Sequence, residues 1–319
     1  DNDFQNRIVT DFSPQEKYDM TVSGASDKTS YFISFGYLNK DGYLKIKDKN
    51  EKFKRYNILM KVDSKINNWL SLDEKIVFNS QLSDKPNADN YNLNSIVRIT
   101  PIQIIEFPDL EYYLEPGDHD KFAPYIGMYS DGTILPYLNS GRKTFTTNDT
   151  WFTQGITINP LQGLKLRGDF SYNTFHKDYQ MVVSKIDVIS SADLTSAGLV
   201  TNGETSTDFI ENQANYNQYY ALNTYAEYTF DKITDHYLKA MVGFNQEWGR
   251  NTSVYAKAES LLTPSVTDLN ATKGTQYTKG GKSQVALRGV FYRLNYIYKD
   301  KYLLETNGRY DGTSRFPKD

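Results

Sequence analysis

The chain has 319 residues, of which 36 are basic and 39 acidic, so its formal net charge is −3. This near balance argues against a nucleic-acid partner, and the lack of cysteine excludes disulfides, zinc–thiolate sites and a cysteine nucleophile. No run of about 18 apolar residues is present, which excludes a transmembrane helix. The 26 Tyr and 17 Phe, beside a mean hydropathy of −0.62, favour β structure.

Ten segments alternate apolar and polar residues with the period of two that is typical of half-buried strands. In the first of them, Tyr18 and Met20 alternate with Asp19 and Thr21. The segments are 16–24, 30–39, 53–63, 69–82, 150–159, 164–175, 217–230, 237–248, 285–298 and 301–316. Each has one apolar face and one face with charged or amide groups, which predicts an all-β fold of antiparallel strands.

The connections between these segments alternate in length. Short turns alternate with long loops near 39–52, 83–149, 176–216 and 249–284. Because antiparallel strands reverse direction, all short turns fall at one end of the sheet and all long loops at the other. This asymmetry is typical of an outer-membrane β-barrel with short periplasmic turns and long extracellular loops. A soluble β-sandwich or β-propeller is the alternative, although neither requires such alternation.

The two faces of the strands predict two environments. Leu222 and Val242 on the apolar face are expected to contact lipid, whereas Asn223 is expected to face the lumen. Charged side chains would be costly in a sandwich core, so they are predicted to line the lumen: Arg55, Lys61, Arg167, Glu227, Arg293, Glu305 and Arg309. An aromatic belt at the strand ends is predicted to contain Trp69, Trp151, Trp248, Tyr298 and Tyr302.

Two stretches resemble motifs of one family. YDMTVSGASDKTSYFISFGYLNKDGYLK at 18–45 is similar to the early barrel of SusC/RagA-type TonB-dependent transporters, and RYNILMKVDSKINNWL at 55–70 takes the place of the strand that follows. YRLNYIYKDKYLLETNGRYDGTSRF at 292–316 resembles the most recognisable barrel motif of that family. The two stretches stand in the expected order and at about the expected separation.

The resemblance implies a function. It implies import across the outer membrane of a Gram-negative bacterium, energised by TonB through a plug, with a SusD-like surface lipoprotein over the extracellular mouth. Substrates of the family are chiefly oligosaccharides and, in some members, peptides. A surface β-scaffold or adhesin without transport activity is the alternative.

The resemblance also implies that the barrel is larger than this chain. Plugged transporters of this kind have about 22 strands, and an open sheet of about ten strands would leave unpaired edges in lipid. We therefore expect residues 1–319 to be the middle portion of the barrel domain. The N-terminal plug, the TonB box and the closing strands would lie outside it. A complete smaller barrel is the alternative.

No catalytic or metal-binding motif is present. His119, His176 and His236 lack metal-ligand spacing. GDHDK at 117–121 is rich in carboxylates that suit calcium, but it lacks the spacing of an EF-hand loop, which favours a solvated loop over a calcium site. We expect no enzymatic activity, cofactor or metal. The loop at 83–149 is rich in Tyr and planar polar groups, which suit a sugar, although they would also suit a peptide or simple packing. Candidate substrate-binding residues there are Tyr91, Tyr112, Tyr113, Tyr125, Tyr129, Asp131 and Arg142.

Overall fold

A computed structural model describes residues 6, 8–45, 50–86, 127–130, 135–189, 197–201, 207–263 and 265–316. Ten long strands form one antiparallel sheet in which each pairs with its neighbours along the chain. Numbered in chain order, they are β1 (Gln15–Ala25), β2 (Thr29–Asp41), β3 (Lys52–Lys65), β4 (Leu70–Pro86), β6 (Gly141–Leu161), β7 (Leu164–Val183), β10 (Phe209–Ile233), β11 (His236–Glu259), β12 (Gln276–Tyr298) and β13 (Tyr302–Thr313). The predicted all-β, antiparallel fold is confirmed.

A smaller sheet lies in the connections that precede β6 and β10. It consists of β5 (Tyr129–Ser130), β8 (Lys185–Ile189) and β9 (Ala197–Thr201), with β5 parallel to β8 and β8 antiparallel to β9. A short helix, α1 (Leu135–Asn139), precedes β6. Among the described residues, no helix is long and apolar enough to span a membrane.

Buried apolar residues are concentrated at the end of the large sheet that carries the long connections. Val182, Ile210 and Ala258 form a buried cluster across β7, β10 and β11. Leu261 and Leu269, from the connection between β11 and β12, pack against this cluster. This cluster therefore fixes the β11–β12 connection onto the sheet, while much of the remaining sheet surface is only half-buried.

The strands extend further into the long connections than the sequence predicts. Residues expected in loops belong to strands at 141–149, 176–183, 209–216, 249–259 and 276–284. In these parts Thr, Asn, Gln and Tyr occupy both faces, so the apolar period disappears while the backbone pairing continues. At the opposite end the turns are short, and Asp235, Lys299 and Asp300 adopt positive φ there, as tight turns between strands require.

The cross-strand register divides the large sheet into two faces. Val242 pairs with Ala226 on β10 and with Tyr292 on β12, so these apolar residues share what we call the apolar face. On the opposite face, the polar face, paired positions run from β3 to β13 as Asp63, Asp73, Gly155, Asp169, Asn223, Asn245, Gly289 and Asp311. We call this line the Asp/Asn row. In the described pairings of the large sheet the register shifts lie beside short turns, so the faces do not exchange.

Candidate functional site

All seven charged residues predicted for the lumen lie on the polar face. Successive side chains on a strand point to opposite faces, so an even spacing places two residues on the same face. Every one of the seven is an even number of residues from a member of the Asp/Asn row on its own strand: Arg55, Lys61, Arg167, Glu227, Arg293, Glu305 and Arg309. Their shared face is now a structural observation, whereas the lumen that this face would line stays a prediction.

Arg167 is the centre of a charged cluster that spans three strands. Its guanidinium binds both carboxylate oxygens of Asp73 on β4, with Nη2 2.8 Å from Oδ2. Its Nε donates to Oδ1 of Asp169 at 2.8 Å, and Nη1 donates to the hydroxyl of Thr157 at 2.9 Å. Gly155 lies between the carboxylates, and a Cβ there would approach Arg167 and Asp73 to less than 3.0 Å. The cluster therefore depends on the absence of a side chain at Gly155.

A similar arrangement recurs at the edge of the sheet formed by β12 and β13. Arg309 donates from Nε to Oδ1 and Oδ2 of Asp311, at 2.7 and 2.8 Å, and from Nη2 to Asn245 at 3.2 Å. Gly289 lies opposite Asp311, and a Cβ at Gly289 would also approach its carboxylate too closely. Two Arg-x-Asp units, each facing a glycine, thus carry charge along the polar face.

The other predicted lumen residues form looser contacts. Glu227 pairs with Lys239 at 3.0 Å, and Arg293 lies 3.8 Å from Glu305. Arg55 has a buried Nε for which the described residues provide no acceptor. Asp73, the partner of Arg167 on β4, and Lys239, the partner of Glu227 on β11, were missed from the sequence, because they lie on other strands and only the register brings them close.

A cavity of about 490 Å³ lies at the long-connection end of β2, β3 and β4. Polar-face side chains line it, including Leu38, Lys40, Phe53 and Lys85, together with Glu51 from the end of the β2–β3 connection. Burial raises the pKa of Glu51, although Lys85, Arg142 and Lys40 act in the opposite direction. The cavity thus offers cationic, acidic and aromatic groups to a ligand.

Arg142, which the sequence predicts to bind substrate, instead forms hydrogen bonds that hold residues beside this cavity in place. Its Nε and Nη2 donate to Oδ1 of Asp84 at 3.0 and 2.8 Å, and Nη2 also donates to the carbonyl of Asn50 at 3.3 Å. The Asp84 side chain is only 7% exposed and also accepts from Thr144. Arg142 therefore ties the β2–β3 connection to β4 and β6.

The remaining candidates for substrate binding are spread over the chain. Tyr129 lies half-buried in β5 of the small sheet, whereas Arg142 lies in β6 of the large one. The other five candidates lie outside the described residues: Tyr91, Tyr112, Tyr113, Tyr125 and Asp131. The described residues include no group of three or more His, Asp or Glu side chains that could share a metal ion.

The predicted aromatic belt needs one correction. Trp151 pairs with Asn173 on the polar face and contacts Tyr219 edge to face, with the ring centroids 5.9 Å apart. It cannot share the apolar face with its neighbour Phe152, because adjacent strand residues point in opposite directions. Trp248 lies on the apolar face, stacked on Tyr220 at 5.6 Å. Both tryptophans lie in mid-strand, because β6 and β11 are longer than predicted.

Comparisons with known proteins identify relatives. No protein-family model matches the chain. Two curated TonB-dependent receptors of Formosa agariphila are 23% identical to it over 311 and 326 residues, which cover 96% and 99% of this chain. The chain spans only 29% and 30% of the length of those receptors.

Solved structures agree in fold. The RagAB peptide transporter superposes with a TM-score of 0.69 and 18% identity over 100% of this chain and 34% of its own. The "closed-closed" state of the RagAB peptide importer superposes with a TM-score of 0.70 and 17% sequence identity. The match covers 99% of this chain and 33% of the RagAB chain. The ten-stranded sheet thus has the fold of a segment of the RagAB transporter. The resemblance to SusC/RagA-type TonB-dependent outer-membrane transporters, which the sequence predicted, is confirmed.

Proposed function

We propose that this chain forms part of the wall of a TonB-dependent importer that carries a nutrient across the outer membrane of a Gram-negative bacterium. The observation that carries the proposal is the separation of the two faces over ten successive strands. A continuous apolar face suits lipid, and the opposite face, with its Arg-x-Asp units, suits a wet or plugged lumen. The likeness of the fold to RagAB supports the same assignment.

The direction of the barrel follows from the connections. Bacterial outer-membrane barrels have short periplasmic turns and long extracellular loops, so the cavity beside Lys40 and Lys85 would open at the extracellular mouth. A SusD-like lipoprotein would close over this mouth, and TonB would act through a plug on the periplasmic side. The process is binding followed by gated passage, with no chemical step.

An oligosaccharide is the first candidate for the substrate. The Tyr-rich connection that contains Tyr91, Tyr112 and Tyr125 offers ring faces for sugars, and Asp131 and Arg142 add planar hydrogen-bonding groups. A peptide is the second candidate, for two reasons. The cavity carries both signs of charge, at Lys40, Lys85 and Glu51, and solved RagAB structures are described as those of a peptide transporter.

Binding and uptake by the full-length protein with its lipoprotein would test these proposals. A panel of neutral oligosaccharides and charged peptides would be compared by titration calorimetry. Lys40→Ala combined with Lys85→Ala should weaken the binding of acidic peptides about tenfold, or about 1.4 kcal/mol. The affinity for neutral sugars should stay unchanged. Lys28→Ala, in a short turn at the opposite end, is the matched control. Uptake that continued after collapse of the proton-motive force would contradict the importer.

A further inference from the structure

The composition of the apolar face changes near Trp248 on β10, β11 and β12. Toward the short turns it is apolar and exposed at Val242, Val290 and Tyr292. At the end of this surface Trp248 stacks on Tyr220, with 23° between the ring planes. Trp and Tyr rings at the limit of an apolar surface are typical of the boundary between lipid and water.

The same face carries basic residues on both sides of Trp248. Arg288 on β12 pairs with Gln246, two residues before Trp248, whereas Arg250 on β11 and Lys282 on β12 lie beyond it. All three are exposed, and we call them the outer basic patch. Arg250 pairs with Gln284, two positions from Lys282, so the two basic residues are diagonal neighbours whose Cβ atoms are about 7–8 Å apart. Within the described ranges, none of the three basic residues forms an ion pair.

On β10, β11 and β12 the patch has no acidic counterpart on its own face. In the described residues of these strands from the level of Arg288 outward, the acidic side chains are Glu211, Glu247 and Glu259. These three carboxylates interact with Tyr255, Lys257 and Arg309, which also point to the polar face. No carboxylate on these three strands therefore shares a face with the outer basic patch. Asp178 on β7 points to that face, lies 3.2 Å from the His176 ring and lines a cavity there.

Strand length places the patch at the level of lipid headgroups. An apolar band about 25 Å tall, crossed at about 45°, takes roughly 10 residues of each strand. Arg288 precedes the last residue of β12, Tyr298, by ten positions, and Arg250 follows the first residue of β11, His236, by fourteen. Arg288 thus lies at the outer limit of this band, and Arg250 and Lys282 lie about four and six residues beyond it.

A cavity of about 510 Å³ adjoins the patch on the same face. Thr146, Gln180 and Asn212 line it, with Gln180 donating to the Asn212 amide oxygen at 3.1 Å. Val254, four residues beyond Arg250 on β11, forms the side of the cavity nearest the patch, and Leu269 contributes from the β11–β12 connection. Hydroxyl and amide groups in a concave site suit the hydroxyls of a sugar.

We propose that the outer basic patch and this cavity bind a phosphate-bearing glycolipid of the outer leaflet. The phosphates bind Arg250, Lys282 and Arg288, the sugars enter the cavity, and the acyl chains lie along Val242 and Val290. Bidentate Arg–phosphate bonds and the Lys charge provide the recognition. The site rests on the proposed outer-membrane location and outward long connections, and it is independent of the transported substrate.

Native mass spectrometry of the full-length protein in neutral detergent would test this site, with diphosphorylated lipid A as the probe. Each basic residue near an anionic lipid surface contributes about a fivefold change in affinity. Arg250→Gln, Lys282→Gln and Arg288→Gln combined should therefore weaken binding roughly a hundredfold, and each single variant should weaken it about fivefold. Lys279→Gln is the matched control, because Lys279 lies on the same strand as Lys282 but on the polar face.

Two further arms identify what is recognised. Lipid A from which both phosphates have been removed should bind poorly, and inorganic phosphate at the same concentration should not compete. Equal binding of the dephosphorylated lipid, or an equal loss in Lys279→Gln, would overturn the proposal. Competition by inorganic phosphate would overturn the lipid assignment. The single variants keep the test available if the triple variant fails to insert.

Import is measured separately in cells. Lipid binding without import would refute the proposed function and leave this site intact. Import with unaltered lipid binding in all the variants would refute this site alone.

Discussion

Gly155 is the position at which a single methyl group should have the largest effect on the polar face. A Cβ at Gly155 would approach Nη2 of Arg167 and Oδ2 of Asp73 to less than 3.0 Å. Gly155→Ala should therefore displace the guanidinium from between its two carboxylates. The expected result is a less stable sheet in which β4, β6 and β7 still pair through the backbone.

The magnitude follows from the exposure of the three side chains. Hydrogen bonds to charged groups contribute about 1.5–3 kcal/mol each when buried. Arg167 is 19% exposed, Asp73 36% and Asp169 30%, so solvent screening reduces each to about 1 kcal/mol. Overpacking adds about 1 kcal/mol or more. We expect Gly155→Ala to lower the free energy of unfolding by about 2–4 kcal/mol.

Urea unfolding of the reconstituted full-length protein, followed by tryptophan fluorescence, would measure this change. Gly168→Ala is the matched control, because Gly168 lies on the apolar face of β7 and a Cβ there would come no closer than 3.9 Å to Thr224. If the effect acts through Arg167, then Gly155→Ala should cost much less in an Arg167→Met background. Equal stability of the Gly155 and Gly168 variants would refute the reasoning.

Three further predictions concern other parts of the chain. Val242→Arg should impair membrane assembly, because an Arg facing lipid near the midplane destabilises the folded barrel by about 2–4 kcal/mol. Asn223→Arg should be tolerated, apart from the loss of its hydrogen bond with Asn245. If both variants lost the same amount of heat-resistant folded protein in the membrane, the assignment of the two faces would be wrong. Glu51→Gln should abolish a loss of stability that begins as the pH rises through 4.5, because burial raises the pKa of the folded carboxyl above this ordinary value and folding then disfavours the charged form. A melting temperature with the same pH dependence in both proteins would contradict this. Arg142→Ala should remove the ion pair of the buried Asp84 carboxylate, which lowers the free energy of unfolding by about 3 kcal/mol, and should increase protease cleavage within 42–51. An unchanged cleavage rate would exclude the proposed anchoring.

The period of two in the sequence was sufficient to predict the strands and their faces. Leu222 and Val242 fall on the apolar face and Asn223 on the polar face, as predicted. Strand ends were less predictable, because beyond the apolar band both faces of a strand become polar while backbone pairing continues. Residues 176–183 and 209–216 are therefore strand, although their composition is that of a loop.

The partners within the candidate site depend on register, which local sequence does not encode. Asp73 is 94 residues from Arg167 in the chain, and nothing near either residue indicates the other. Two signals were available nevertheless. The Arg-x-Asp spacing recurs at 167–169 and 309–311, and the position of Trp151 beside Phe152 already excludes a shared face. The five candidates outside the described residues remain predictions.

The constant register of the sheet has a consequence for how the barrel assembles. A slip of one residue between β6 and β7 would exchange the faces of β7. Lys165 and Arg167 would then enter the lipid, at up to about 2–4 kcal/mol each near the midplane, and Asp169 would follow. A misaligned pairing would thus be less stable than the native one by several kcal/mol, even before the loops fold or a ligand binds. The charges that are predicted to line the lumen would therefore also disfavour a misaligned strand while the sheet is being inserted.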